Sequence, residues 1–309
     1  MVNLLIFLVA LVFLVKSANL SITHSSHLAK SLRISTHLVG FLVVALISVL
    51  PETAISVSSA LQGVPAFGLG TLFGSNVADL TLILALVVFF AREIKIRKPI
   101  LQMNLLFIVA ILTPLLLGMD GSYTRTEGVV LMLIGGFFFY TLVKKERKEI
   151  SKSRYSFSFK SLLSLIASLA VLLISAQLIV HYGVALGTDL QLNPTFIALV
   201  FVALGTTLPE LFFSIQAVRE NHDGLALGDI LGTVIIDAVV IVGLIAVITP
   251  FSFPPKIIYA TGLFMLMGAF LLFFLMKTEG RLSKREACIL VVFYLGYALA
   301  EYYLNLNGN

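Results

Sequence analysis

The sequence predicts an all-α membrane protein of ten transmembrane helices in two inverted five-helix repeats. Three observations carry that expectation. Apolar windows of spanning length recur along the whole chain, the basic residues fall in alternate loops, and two polar motifs recur at one constant offset. Of the 309 residues, 59% are apolar and 12% charged, against roughly 45–50% and about 25% in soluble domains. A mean hydropathy of +1.05 leaves no stretch for an independent soluble domain.

A helix rises about 1.5 Å per residue and needs roughly 20 apolar residues to cross the hydrocarbon. Such windows lie at 2–20, 36–60, 66–90, 100–118, 126–143, 161–182, 195–218, 225–249, 256–276 and 285–303. The first apolar run, Asn3 to Val15, has Lys16 behind it and no basic segment before it, the opposite polarity of a cleaved leader, so it counts as a span. Turn and breaker residues separate the windows, as in Gln62-Gly63-Val64-Pro65, Gly118-Met119-Asp120-Gly121 and Phe253-Pro254-Pro255.

Charge gives these helices a direction. Nineteen of the 21 basic residues lie in or beside the loops after the first, third, fifth, seventh and ninth spans, and only Arg125 and Lys256 lie on the other side. By the positive-inside rule the first set is cytoplasmic. A multi-pass protein of the cell membrane is expected, with both termini outside and the basic Lys144–Lys160 link in the cytoplasm. The net charge of +5 comes in short runs between apolar spans, which orients a membrane protein and excludes nucleic acid as a partner. The single cysteine, Cys288, excludes an intrachain disulfide and a thiolate metal cage.

The repeat is visible residue by residue. Val44-Ala45-Leu46-Ile47-Ser48-Val49-Leu50-Pro51-Glu52 matches Val202-Ala203-Leu204-Gly205-Thr206-Thr207-Leu208-Pro209-Glu210. Gly70-Thr71-Leu72-Phe73-Gly74-Ser75-Asn76-Val77-Ala78-Asp79 matches Gly228-Asp229-Ile230-Leu231-Gly232-Thr233-Val234-Ile235-Ile236-Asp237. Both pairs are offset by 158 residues without a gap. The offset carries the first span onto the sixth, so the unit is five helices, and an odd unit is copied upside down. The expected organisation is a first repeat over 1–143, a basic linker over 144–160 and a second repeat over 161–309.

Within these motifs Glu52, Asp79, Glu210 and Asp237 are carboxylates at membrane depth, where a charge costs about 2.5–3.5 kcal/mol on insertion scales. Each Leu-Pro-Glu places proline inside an apolar helix, which removes a backbone hydrogen bond and should break the helix. The break frees carbonyls beside the Glu and the hydroxyls of Ser48, Thr206 and Thr207, a set of hard oxygen ligands. Gly70 with Gly74, and Gly228 with Gly232, permit close helix approach and should bring Ser75 and Thr233 against the broken helices. Oxygen ligands without nitrogen or sulfur suit Ca²⁺, Na⁺ or H⁺. Asp229, Glu301 and the loop histidines read as structural.

On these residues the chain resembles the cation/calcium antiporter superfamily, particularly its sodium/calcium exchanger branch, with its Gly-[Thr/Ser]-[Ser/Thr]-Leu-Pro-Glu and Gly-Asn-x-x-Gly-Ser segments. The resemblance implies secondary antiport of Ca²⁺ against Na⁺ by alternating access, not enzymatic activity. It implies Glu52 and Glu210 as Ca²⁺ ligands, and Asp79 and Asp237 at the middle. The Ala45 and Ala203 carbonyls with Ser48, Thr206, Thr207, Ser75 and Thr233 become Na⁺ or Ca²⁺ ligands. The implied partners are inorganic cations and the lipid bilayer, with no cofactor and no obligatory protein partner.

Three departures stand out. Ile47-Ser48-Val49 replaces the first Gly-Thr-Ser, the Gly-Asn pairs become Gly70-Thr71 and Gly228-Asp229, and Asp79 and Asp237 make both middle positions acidic. The extra acids leave Ca²⁺/H⁺ exchange open, with Asp79 and Asp237 as proton carriers. Ala226-Leu227-Gly228-Asp229 also resembles the Gly-x-Gly-Asp element of intramembrane aspartyl proteases, but their Tyr-Asp pair and Pro-Ala-Leu segment do not occur in this sequence. A passive channel is a further alternative.

Overall fold

The computed structural model describes residues 2–32, 35–63, 65–96, 98–146, 159–189 and 207–306. Helix α1 runs Val2–Leu32. The second window is two helices, α2 Thr36–Ser48 and α3 Leu50–Leu61, bent by 42° about Val49. Proline at the second position of α3 cannot donate to a carbonyl of α2, so the break falls where Leu50-Pro51-Glu52 led us to expect it.

Beyond it come α4 Pro65–Ala78, a π-helical turn Asp79–Ile83 and α5 Leu84–Phe90. Strand β1 Ile94–Lys95, α6 Lys98–Gln102 and α7 Asn104–Leu117 follow, then β2 Ser122–Tyr123 and α8 Arg125–Glu146.

After the undescribed link, α9 covers Phe159–Asp189 and α10 Leu208–Arg219. Helix α11 Asp223–Ile235 passes through a π-turn, Ile236–Ile241, into α12 Val242–Ile248. Strand β3 Phe251–Ser252, a π-turn Ile258–Gly262, α13 Leu263–Glu279, β4 Arg281–Leu282 and α14 Lys284–Leu306 complete the described chain.

Among the described residues five helical segments are long and apolar enough to cross a membrane, and the bent α2–α3 pair makes a sixth. The shorter apolar stretches Asn104–Asp120 and Phe159–Ser175 fall below that length, so length and hydropathy alone do not give the ten spans expected. The seventh window is described only from Leu208 onward.

The all-α class holds, with two very short ladders added to it. Two antiparallel ladders of two residues per strand tie loops together, β1 to β4 (Ile94 opposite Leu282) and β2 to β3 (Tyr123 opposite Phe251). Two residues are too few to show a strand's period in sequence. Each ladder is extended by an amide next to a left-handed glycine: Ile96 N donates to Gly280 O at 2.9 Å, and Phe253 N to Gly121 O at 2.8 Å.

The core sits around α4, α11 and their continuations. Every residue of α11 is buried, whereas Leu5, Phe13, Leu105, Leu133, Phe137, Phe270, Phe274 and Val292 form an apolar outer surface. A surface apolar over this extent fits lipid rather than water. Helix α1 packs along α9, where the Ser21 and Ser168 hydroxyls meet at 2.9 Å.

Candidate ion-binding site

Each glutamate is held in the first turn of a helix that starts in mid-fold. Glu52 lies in the first turn of α3, after Val49 (φ −75°, ψ 0°) has turned the chain. Val49 N still bonds Ala45 O at 3.1 Å and Val49 O accepts from Thr53 N at 2.9 Å, so the bend costs little backbone pairing. Glu210 lies in the first turn of α10, with Thr207 at its start and Pro209 filling a position that needs no donor. Both carboxyls therefore sit at the positive end of a helix dipole.

The second element is a polar stripe. Asp229, Thr233 and Asp237 follow one another at intervals of four, so they line one side of α11 and its continuation. That side meets α2 at very close range. A Cβ added to Gly232 would stand 2.6 Å from that of Ala45 and 3.0 Å from the Phe41 carbonyl, and one added to Gly40 would stand 3.1 Å from Gly228 Cα. Glycine at 228 and 232 lets the two backbones touch, and the contact brings Thr233 Oγ1 to 3.2 Å from Ser48 Oγ. Ser48 Oγ also lies 3.2 Å from the Ala45 carbonyl and 3.2 Å from Asp229 Oδ1.

Glu52, Asp79, Glu210 and Asp237 are all buried, at 2% exposure or less, and with them Asp229 at 0%. Their charges act on one another: Glu52 with Glu210 and Asp79, Asp79 with Asp237 and Glu210, and Asp229 with Glu210. Neither oxygen of Asp237 has a hydrogen-bond partner among the described residues, one oxygen each of Glu52, Asp79 and Asp229 lacks one, and Glu210 has the Ser48 hydroxyl within its reach. The ion pairs there lie elsewhere, between Arg92 and Asp223, and from Arg281 to Glu93 and Glu279. Ionised carboxylates left so would each cost several kcal/mol, so the cluster calls for cations.

The described residues contain no group of three or more His, Cys, Asp or Glu side chains gathered at one metal-binding point.

The expected ligands divide three ways. Ser48, Thr233 and the Ala45 carbonyl come together, and Thr207 is buried at the start of α10. Ser75 is half-buried and donates to its own Leu72 carbonyl at 3.0 Å; its counterpart contact would involve Thr206. Thr206 and Ala203 lie outside the described residues.

The sequence reading set Asp229 aside, yet its carboxyl is inside the cluster. The available signal was its spacing of four from Thr233, which puts it on the same face. Asn76, also passed over, is buried at 0% with its amide 3.5 Å from the Val234 carbonyl, its own counterpart at an offset of 158.

A model of the family described as sodium/calcium exchanger protein matches residues 2–144 and 160–303. The chain belongs to the sodium/calcium exchanger family. Sodium/calcium exchanger MaX1 of Methanosarcina acetivorans is 24% identical over 98% of this chain and 99% of that protein. Inner membrane protein YrbG of Escherichia coli is 26% identical over 80% of each. The solved sodium-calcium exchanger NCX_Mj shares the fold, with a TM-score of 0.84 at 23% identity over 97% of this chain and 98% of that one. A member of this family is a membrane transporter of the exchanger class and not an enzyme, which removes the aspartyl protease reading of Gly228-Asp229.

Proposed function

We propose that this exchanger moves Ca²⁺ across the cell membrane against Na⁺ by alternating access, with Glu52 and Glu210 as the central Ca²⁺ ligands. The observation that carries the reading is the set of buried carboxyls at the starts of α3 and α10, with oxygens left unsatisfied, flanked by Asp79 and Asp237. Ser48, Ser75, Thr206, Thr207 and Thr233, with the carbonyls of Ala45 and Ala203, complete a shell of hard oxygens.

The architecture behind it is ten spans in two inverted repeats, 1–143 and 161–309, joined by the cytoplasmic link 144–160, with both termini outside. Several contacts support this. The offset of 158 carries β1 to within two residues of β3 and β2 to within two of β4, so one ladder maps onto the other. It likewise carries the α3–α4 contact onto α10–α11, and the α5–α14 contact onto α12–α8. Asn76 and Val234, a pair at this offset, are in contact, and Glu52 with Glu210 and Asp79 with Asp237, also pairs at this offset, are close enough to interact electrostatically, as residues beside a twofold axis would be.

One observation favours a second reading. The acids outnumber the charge of one Ca²⁺, so further cations must balance them, and protons on Asp79 and Asp237 would make the protein a Ca²⁺/H⁺ exchanger. Reconstituted vesicles separate the two. ⁴⁵Ca²⁺ uptake should follow an imposed Na⁺ gradient at clamped pH on both sides, and Glu52→Gln or Glu210→Gln should lower it by roughly a hundredfold. Uptake that follows a pH gradient and ignores Na⁺ would replace the sodium reading with the proton one.

A further inference from the structure

Helix α14 carries polar side chains where the other copy of the repeat has none. Tyr294, Tyr297 and Glu301 are spaced i, i+3, i+7, so they share one face of the helix. The offset of 158 carries them back to Gly136, Phe139 and Val143 on α8, and Thr261 to Met103. That side is closed by rings, with Phe139 packed on Phe41 and Phe138. Polar groups at membrane depth are costly and mark pathways, and at these positions they occur in one repeat only.

The four side chains form a row. The Thr261 hydroxyl, itself buried, donates to Glu301, and Tyr297 has the Thr261 hydroxyl within its reach. The rings of Tyr297 and Tyr294 lie 5.9 Å apart, and Phe264 covers their flank at 5.4 Å from Tyr297. A Cβ on Gly74 would come 3.4 Å from the Tyr297 hydroxyl, so α4 makes room for that hydroxyl a little over one turn before Asp79. Helix α14 packs on the π-turn that opens with Asp79, and Tyr294 is close enough to act electrostatically with the Asp79 carboxyl. One oxygen of that carboxyl is buried without a hydrogen-bond partner among the described residues.

A hydroxyl both donates and accepts, so a row of them can pass a proton without ionising. We propose that Tyr294, Tyr297, Thr261 and Glu301 form a proton line from Asp79 to the side of the membrane where α14 ends, and that the matching positions beside Asp237 form none. Asp79 gives its proton to Tyr294 as the Tyr294 proton passes to Tyr297, that of Tyr297 to Thr261, and that of Thr261 to the Glu301 carboxylate. Each O–H bond that breaks is replaced by one that forms; Asp79 is left ionised, and Glu301 releases the proton to water. The charges around Asp79 are Glu52, Glu210, Asp229 and Asp237, so a cation entering among them favours that release. A proton on this line returns to the side it came from. Asp79 thereby balances charge in the site without carrying a proton across, which narrows a proton-coupled cycle to Asp237.

The idea rests on Asp79 belonging to the proposed ion site, and its test needs no Ca²⁺. The experiment is infrared spectroscopy of the purified full chain in detergent on transfer from H₂O to D₂O at acid pH. The protonated Asp79 carboxyl is the band missing from Asp79→Asn, and the rate of its deuterium shift is the rate of proton exchange. Tyr297→Phe keeps the ring and removes the hydroxyl. It and Glu301→Gln should each slow the shift roughly tenfold or more, while Tyr303→Phe, at an exposed position of α14, should leave it unchanged.

Wild-type rates in both Tyr297→Phe and Glu301→Gln overturn the line, as does the lack of any Asp79 band in the wild-type chain. Equal slowing in Tyr303→Phe assigns the effect to α14 packing and refutes it too. Saturable ⁴⁵Ca²⁺ binding, measured on the same wild-type preparation, tests the exchange reading by itself: its absence overturns that reading whatever the deuterium rates are.

Discussion

The two copies of the glycine-bearing motif meet very different surroundings. In α11, Gly228 and Gly232 press against the backbone of α2, and a methyl group on either would strike Phe41 or its neighbours. In α4, a Cβ on Gly70 would meet nothing within 4 Å and one on Gly74 would reach only the Tyr297 hydroxyl at 3.4 Å. The residue after the first glycine differs too: Asp229 in α11 stands where α4 has Thr71. One sequence pattern thus supports a rigid backbone seam in one place and a looser wall in the other, and the seam carries the extra charge.

The largest effect expected from this contrast is steric. Gly232→Val should cost about 3 kcal/mol or more by overpacking the α2 contact, whereas Gly70→Ala should stay within about 0.5 kcal/mol. Thermal unfolding in detergent compares them, and equal losses would erase the distinction.

Next in size is the hydroxyl that bridges the seam. Ser48→Ala should weaken cation binding roughly tenfold by stripping an oxygen shared by Asp229 and Thr233. Thr53→Val removes a hydroxyl committed to its own Val49 carbonyl at 2.8 Å and should stay within about threefold.

The ladders allow two smaller comparisons. Beside β2–β3, the buried Tyr123 hydroxyl donates to the Pro114 carbonyl at 2.6 Å, and its ring packs on Phe251 and Phe253. Tyr123→Phe should cost about 1 kcal/mol at any ionic strength. The chain near β1 relies on charge: Arg92 pairs with Asp223 at 3.0 Å in a partly exposed setting. Arg92→Ala should cost less than about 1 kcal/mol, and the loss should fade as salt is raised. A salt-insensitive Arg92 effect would show that packing, not charge, holds that side.

Much of this was legible before any coordinates, for reasons tied to particular residues. Pro51 and Pro209 announce helix starts because proline lacks a donor, and the described chain bends at Val49 and begins α10 at Leu208. Gly228 and Gly232 announce a close contact because only glycine allows one. What stayed hidden depends on partners distant in sequence. The spacing from Thr233 puts Asp229 on the same face of α11, but which helix covers that face is fixed by α2 packing on α11. The Ser21–Ser168 contact joins helices whose serines could equally have bonded only their own turns. Glu301 accepts a hydrogen bond from Thr261, a residue 40 positions away.

The π-helical turns at Asp79–Ile83 and Ile236–Ile241 give the helices a fault line at their central acids. A π-turn holds one residue more than the α-helix it interrupts, and one residue is about 100° of rotation. The faces before and after each turn are thereby out of phase. Leu84–Phe90 and Val242–Ile248 present the sides they do to α14 and α8 because of that single surplus residue. Deleting one residue inside either turn, without changing composition or charge, should twist the distal half-helix by most of a third of a turn and unseat its far contact.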